Sequence, residues 1–431
     1  MKILIISHNC ISRTSNMGKT LLSYFHGFDI EEMAQLYIHS EEPTDDTLCH
    51  RYYRFTDVDA LKSIFSGKTS GKEFGKTEIK IHRISGRTDT GLLRSVYQYG
   101  ERRTAMVYGM RELIWKYSHW NSQPLWDWIG AFAPDVVFLA SGDYGFPYRM
   151  AAEIANQLGK PLAVCCVDDF YLYNRNADCL LGRFVHRRFL KTVYQTMEQA
   201  RALFVICESL KRLYEPLFKK PCHVLHTSAP KKETAGKQNK CRIAYLGNLE
   251  LGREKQLIAI GRALRDLTIP GVNSYLDVYS CEQNRKILKD LTQENGVHFH
   301  GAVSAEEVGR IMGESLAVIH TESFVPNIQN IVRHSVSTKI PESLMNGPCI
   351  IAYGPAGIAS MDYLIENQAA YAITAPEDLH RGLQEILTDA GKWEKIVANA
   401  RALAEQNHST QKVPAQLRAR LEEICSEAVK Q

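Results

Sequence analysis

Apolar runs of strand length recur along the chain, separated by longer stretches of helical periodicity. In the first half the runs are "KILII", "AQLYI", "IKIHRI", "DVVFLA", "PLAVCCV", "ALFVIC" and "CHVLH". Several are continuous rather than alternating, the pattern of strands covered on both faces, which predicts parallel sheets flanked by helices. The helical stretches include "TGLLRSVYQYGERRTAMVYGMRELIWKY" and "RMAAEIANQLG", the second stopping at Gly159 before Lys160-Pro161. "APKKETAGKQNK" then breaks the pattern with four lysines and no apolar periodicity, and reads as a linker. Behind it the alternation restarts with "CRIAYLGNLELGREKQLIAIGRAL", followed by strands at "SYLDVYS", "VHFHG", "LAVIH", "CIIAYG" and "AAYAI". The prediction is two successive α/β domains, residues 1–229 and 241–405, with a Lys-rich linker at 230–240. A C-terminal helix over 406–431 follows, its docking back on the first domain left open. Open parallel sheets bind ligands beyond the carboxyl ends of their strands, so a cleft between facing domains is the expected site. Between about Glu41 and Ser85 only the strand near the end is predicted, and the remainder reads as a loop close to that cleft.

Bulk numbers narrow the class. The 431 residues exceed what one core serves, and 45% hydrophobic with 23% charged residues is the balance of an ordinary globular protein. With 52 Lys and Arg against 48 acidic residues, the net charge of +4 gives no reason to expect a nucleic-acid partner. The 11 cysteines form no C-x-x-C pair and sit in runs such as "LAVCCV", as free thiols in a reducing compartment do. "ILII" meets His8 and Asn9 too soon to be a signal core or a membrane span. These features place the protein in the cytoplasm, with peripheral association at the inner face of a membrane left open.

Candidate chemistry concentrates in "LAVIHTESFVPNIQNIVRHSVSTKIPESLMNGPCIIAYGP". Ser337 and Thr338 stand at the start of a predicted helix, whose unpaired N–H groups and dipole make an anion site. Lys339 adds a point charge for phosphate, and Glu342, one turn on, offers a carboxylate to a ribose diol. A capped surface helix with a solvated Glu fits the same spacing. Asp143 and Asp168-Asp169 end buried strands, where they would orient a sugar hydroxyl, assist proton transfer, or cap the next helix. "TDVDA" has the D-x-D spacing of Asp57 and Asp59 but precedes a helix, so capping is favoured over metal binding. His298 and His300 share a strand face without further ligands, and Trp115, Trp120, Trp126 and Trp128 read as core rather than as a membrane-surface or glycan-stacking helix. "SRTSNMGKT" ends like a P-loop, but Arg13 holds the position of its first glycine.

"TESF" followed by "ESLMNGP" resembles the paired-glutamate signature of the retaining GT-B glycosyltransferases, family four (glycosyltransferase group 1), with Glu322 as the first glutamate, Glu342 as the second and Gly347 at the expected offset. Residues Val325 to Val336 are inserted between the two. "YLGNLELGREKQL" is similar to the diphosphate loop of that family: Gly247 matches its glycine, Asn248 replaces the usual arginine, and Arg253 or Lys255 is the basic residue, Arg253 being favoured as nearer the loop. The resemblance implies two facing Rossmann-like domains and metal-independent transfer of a sugar, with retention, from a nucleoside diphosphate sugar to an acceptor hydroxyl. It implies that Glu322 holds the donor sugar, that Arg253 or Lys255 and Lys339 neutralise the leaving diphosphate, and that Gly18, in a loop before a helix, approaches it from the first domain. No cofactor is required, and the partners are the donor and a sugar, lipid-linked or other glycan acceptor, as in surface polysaccharide synthesis. A sugar-nucleotide epimerase of the same fold is the nearest alternative, ahead of a P-loop-like NTPase or a silent nucleotide-sugar-binding protein; oligomeric state is left open.

Overall fold

A computed structural model describes residues 1–12, 16–44, 46–67, 71–79, 104–174, 176–231 and 241–429. The chain divides into two compact units, Met1–Leu225 with Val413–Gln431, and His226–Lys412.

The first unit is built on strands β1 (Ile3–Ser7), β2 (Met33–Tyr37), β3 (Arg51–Arg54), β4 (Lys72–Phe74), β5 (Val136–Ala140), β6 (Leu162–Cys166), β7 (Ala202–Val205) and β8 (Cys222–Val224), in the order β4-β3-β2-β1-β5-β6-β7-β8. All neighbours pair in parallel except β3 with β4. Every residue of β1, β2, β5 and β6 is buried, which is why those segments read as continuous apolar runs. The C-terminal helix Lys412–Val429 completes this unit, burying Val413, Leu417, Leu421 and Ile424 in the core beneath β1 and β5. Arg418 on that helix holds Glu32 through both carboxylate oxygens at 2.7 and 3.3 Å, and the N-terminal ammonium adds a third contact at 2.9 Å. Hydrogen bonding from Arg418 draws the Glu32 pKa down to about 2.

The second unit carries β9 (Ile243–Leu246), β10 (Leu276–Tyr279), β11 (Val297–Gly301), β12 (Ala317–Thr321), β13 (Cys349–Tyr353) and β14 (Tyr371–Ile373), all parallel, in the order β11-β10-β9-β12-β13-β14. Two apolar clusters form its core, one around Leu257, Ile260 and Leu264, the other around Leu344, Met361 and Leu403.

Three expectations change. The stretch after Glu41 is not a loop: it supplies β3, the helix Asp57–Ser66 and the antiparallel edge strand β4. Its own expected strand, "IKIHRI", lies outside the described residues from Lys80 onward, as do residues 90–103 of the long predicted helix and 232–240 of the linker. The first helix starts at Asn16, so Gly18 sits inside its first turn rather than in a loop before it. The terminal helix starts at Lys412 rather than 406, because the preceding helix, Ala390–Asn407, runs on to Asn407. The capping reading of "TDVDA" holds: Thr56 and Asp59 form a reciprocal capping box. Trp115 and Trp128 are core, whereas Trp120 and Trp126, also expected there, are only half-buried. His300 bonds Asp277 at 2.6 Å and His298 stacks on Tyr275.

Within the second unit the segment at Thr227 is fastened to the end of Ala390–Asn407 by a polar cluster. His408 donates from Nδ1 to the Thr227 carbonyl at 2.7 Å and accepts at Nε2 from Tyr363 Oη at 2.9 Å, while Asn407 donates to that same hydroxyl at 3.0 Å. This chain of donors needs a neutral imidazole. Burial lowers the pKa of His408 to about 4, and burial followed by the nearby His408 does the same to His226. An unfolded chain takes up these protons near pH 6.5, the folded one only near 4. The stability the two imidazoles contribute is therefore complete above pH 6.5 and lost as the pH falls through 4. Urea midpoints should fall between about pH 7 and 4.5, and the fall should be smaller in His226→Phe; a midpoint independent of pH over that range excludes this origin.

Candidate functional site

In each sheet the strand order reverses once, between β1 and β5 in the first unit and between β9 and β12 in the second. At such a reversal the connections leave toward opposite faces and open a crevice beyond the carboxyl ends of the strands.

The crevice of the second unit holds a buried ion pair. After β9 the chain turns through Gly247 to Gly252, where φ is +74° and an added Cβ would lie 3.1 Å from Ser323 Oγ and from Ile328 Cδ1. Only glycine fits both the conformation and the space, and the next residue, Arg253, opens the helix Arg253–Asp266. Its guanidinium donates from Nε to the Thr321 carbonyl at 3.3 Å and from Nη2 to both oxygens of Glu322 at 3.0 and 3.2 Å. Glu322, directly behind β12, is 3% exposed. Ser360 Oγ donates to its Oε1 at 3.2 Å, and its own N–H donates to the Tyr353 carbonyl at 3.1 Å. Burial pulls the Arg253 pKa down, but the adjacent Glu322 charge outweighs it and leaves it raised, so the guanidinium stays charged. His320 Nε2 lies 3.8 Å from Glu322 Oε1, buried with no hydrogen-bond partner among the described residues, and burial lowers its pKa.

Beside β13 the helix Lys339–Asn346 begins where the sequence places it. Ser337 Oγ accepts from the Lys339 N–H at 3.3 Å, and Thr338, at the cap position, makes no capping bond with its side chain. Lys339 Nζ and Glu342 Oε2 pair at 2.9 Å, both more than a third exposed. A pair this exposed contributes roughly 0–1 kcal/mol, so its members remain free to exchange each other for a ligand. Gly347 closes the helix with the Ser343 carbonyl 2.3 Å from any Cβ, the packing reason for a glycine there. Of the two basic candidates the structure brings Arg253 into the cluster and leaves Lys255 exposed on the helix. Asn248 bonds back onto Glu250 and shapes the turn.

In the first unit the crevice is lined by residues the sequence did not single out together. Arg111, on the helix Ala105–Tyr117, donates from Nε to Asp57 Oδ1 at 2.9 Å, stacks 4.0 Å above the Tyr144 ring, and places Nη2 3.1 Å from His8 Nε2. A guanidinium only donates, so His8 Nε2 accepts and its proton sits on Nδ1, facing Asn9 Oδ1 at 3.3 Å. Burial, then the Arg111 charge, holds the His8 pKa down to about 4. Trp115 Nε1 donates to the same Asp57 oxygen at 2.6 Å. The usable signal was Arg111 and Trp115 one helical turn apart, but their partner Asp57 lies more than 50 residues away. Asp143 accepts from Tyr108 Oη at 2.6 Å. Asp169 accepts from Tyr214 Oη at 2.9 Å and from the Leu172 N–H at 3.0 Å, so it organises the turn behind β6. Gly18 is buried in the first turn of the helix that follows the β1 loop.

Two successive parallel-sheet units with these crevices have the GT-B fold of glycosyltransferases. Residues 254–419 match the family described as "Glycosyl transferase-like". Among solved structures the chain is similar to HepE of Anabaena in complex with UDP, at 12% identity over 98% of this chain and 100% of that one, with a TM-score of 0.62. It is similar to an E. coli trehalose-6-phosphate structure bound with UDP-2-fluoro glucose, at 10% identity over 99% of each chain and a TM-score of 0.59. TarM aligns at 9% identity over 97% of this chain and 98% of its own, with a TM-score of 0.61. No curated protein sequence matches significantly.

Arg253→Ala strands a buried carboxylate and should cost about 3 kcal/mol in urea unfolding. Adding Glu322→Gln should return more than half of that loss. Equal stability of the single and double variants means the pair is not coupled as its geometry indicates.

Proposed function

We propose that the protein is a retaining glycosyltransferase that moves a sugar from a UDP-sugar to an acceptor hydroxyl. The observation that carries this reading is the Arg253–Glu322 pair at the reversal point of the second sheet, with the Glu322 carboxylate buried. The neighbours support the choice of base, since HepE is found in complex with UDP and with UDP-glucose.

Cleavage of the bond between the anomeric carbon and the diphosphate leaves positive charge on the sugar ring and negative charge on the departing oxygen. Arg253 and Lys339 answer the negative charge, with Lys255 as a reserve cation on the same helix as Arg253. Glu342 exchanges its bond to Lys339 for the ribose hydroxyls, which frees Lys339 for phosphate. Glu322 accepts from a hydroxyl of the donor sugar. With protein cations in these roles the reading requires neither a metal nor a cofactor. Gly247 leaves the turn after β9 narrow, and Asn248 holds it in shape. On the acceptor side, Asp143 and Asp169, just beyond β5 and β6, are the carboxylates offered to a sugar hydroxyl. The acceptor class is a surface polysaccharide or another glycoconjugate.

Titration calorimetry with UDP tests the donor site. Binding should weaken about 10-fold in Glu342→Ala, as expected for losing charged hydrogen bonds. Arg253→Ala with Lys255→Ala should lower turnover at least about 100-fold, measured as UDP released only when acceptor is present. Failure of UDP to bind, or UDP affinity unchanged in Glu342→Ala, overturns the assignment.

A further inference from the structure

The first unit has an outer face whose chemistry the transferase reading leaves unused. Soluble proteins bury large apolar side chains or scatter the exposed ones singly. Here they are gathered. On the helix Ala105–Tyr117, Met106, Met110, Leu113 and Tyr117 recur every three or four residues and are all at least half exposed. That is a complete apolar stripe on the side opposite Arg111 and Trp115, which face inward to Asp57. Packed on one flank is the helix Asp57–Ser66, with Phe65 83% exposed and Leu61 one turn before it. On the other flank runs the helix Leu180–Gln199, close enough that a Cβ on Gly109 would touch Val185. Its first turns expose Leu180, Leu181 and Phe184, Leu180 at 78%.

The charge on that third helix specifies what covers the face. Arg183, Arg187, Arg188 and Lys191 are all exposed, and no carboxylate occurs between Leu180 and Lys191. None of the four has an acidic partner among the described residues. Two further lysines are exposed, Lys62 on the helix Asp57–Ser66 and Lys116 on the helix Ala105–Tyr117. Apolar side chains interleaved with unpaired cations suit a surface that is apolar just beneath an anionic layer, which is the cross-section of a bilayer with acidic headgroups. A protein partner would need to supply carboxylates and an apolar surface together. No helix among the described residues is long and apolar enough to cross a membrane, so the contact is a lateral one.

We propose that the face formed by these three helices docks the protein on an anionic membrane surface, with Phe65, Leu180 and Phe184 entering the headgroup layer and Arg183, Arg187 and Arg188 meeting lipid phosphates. This rests on the exposed face alone and stands whether or not the second unit binds UDP. Each cation near an acidic bilayer contributes a favourable increment that salt screens, so several together suffice for reversible binding.

The test is co-sedimentation of the full chain with vesicles of phosphatidylcholine alone and of phosphatidylcholine with about 30% phosphatidylglycerol. Binding should be confined to the anionic vesicles and should weaken as salt rises. The triple variant Arg183→Glu, Arg187→Glu, Arg188→Glu should lose at least about 10-fold in partitioning. The variant Phe65→Ser, Leu180→Ser, Phe184→Ser should lose a comparable amount at low salt, while its unfolding midpoint and UDP affinity stay those of the parent. Absence of binding to anionic vesicles, or binding that both variants retain, overturns the proposal. So does sedimentation equilibrium showing a dimer that the serine variant dissociates, since the face would then be an interface between copies.

Discussion

A guanidinium and a carboxylate enclosed side by side set the terms for the second unit. Taking either charge out of water alone would cost several kcal/mol, so each is tolerated only while the other is in place. Glu322 directly follows β12, and Arg253 opens the helix that follows the turn after the adjacent strand β9. The remaining valences are satisfied by fixed groups: the Thr321 carbonyl for Arg253, the Ser360 hydroxyl for Glu322. Gly252 is required because the turn into the helix passes close against Ser323 and Ile328. Charge, backbone conformation and packing here have one common solution.

The Lys339–Glu342 pair obeys the opposite rule. It is local, exposed and weakly held, so its partners exchange at little cost. The crevice of the first unit is different again. Its arginine is paired with Asp57, stacked on Tyr144 and bonded to a neutral His8.

The helix Ala105–Tyr117 serves two environments with one periodicity. Its inward face carries Arg111 and Trp115 into the Asp57 network, and its outward face carries the apolar stripe. A helix apolar on one side and polar on the other ordinarily turns the apolar side inward. This one is apolar on both sides: its inner side buries Ala105, Val107 and Trp115 and carries the part-buried Arg111–Asp57 pair, and a second apolar stripe faces outward.

What could be read from the sequence was whatever depends on near neighbours. The buried strands β1, β2, β5, β6, β7, β9, β10, β12 and β13 announce themselves because residues covered on both faces are mostly apolar. The helix at Lys339 is marked by its own Ser337 and Thr338, and its stop by Gly347, which meets a carbonyl only four residues back. β3 and β4 escaped, since "RYYR" and "KEF" are short, charged at their ends and stabilised mainly by the sheet edge they join. Between Arg253 and Lys255 the sequence favoured the residue nearer the loop, but both stand in the first turn of one helix, and it is Glu322, 69 residues on from Arg253, that draws one of them inward. His8, Asp57 and Arg111 lie 54 and 103 residues apart in their contacts, with no pattern between them to connect them. Spacing along a chain encodes which face of an element a residue occupies; which residue it meets there is decided by strand order, and strand order is a property of the whole folded sheet.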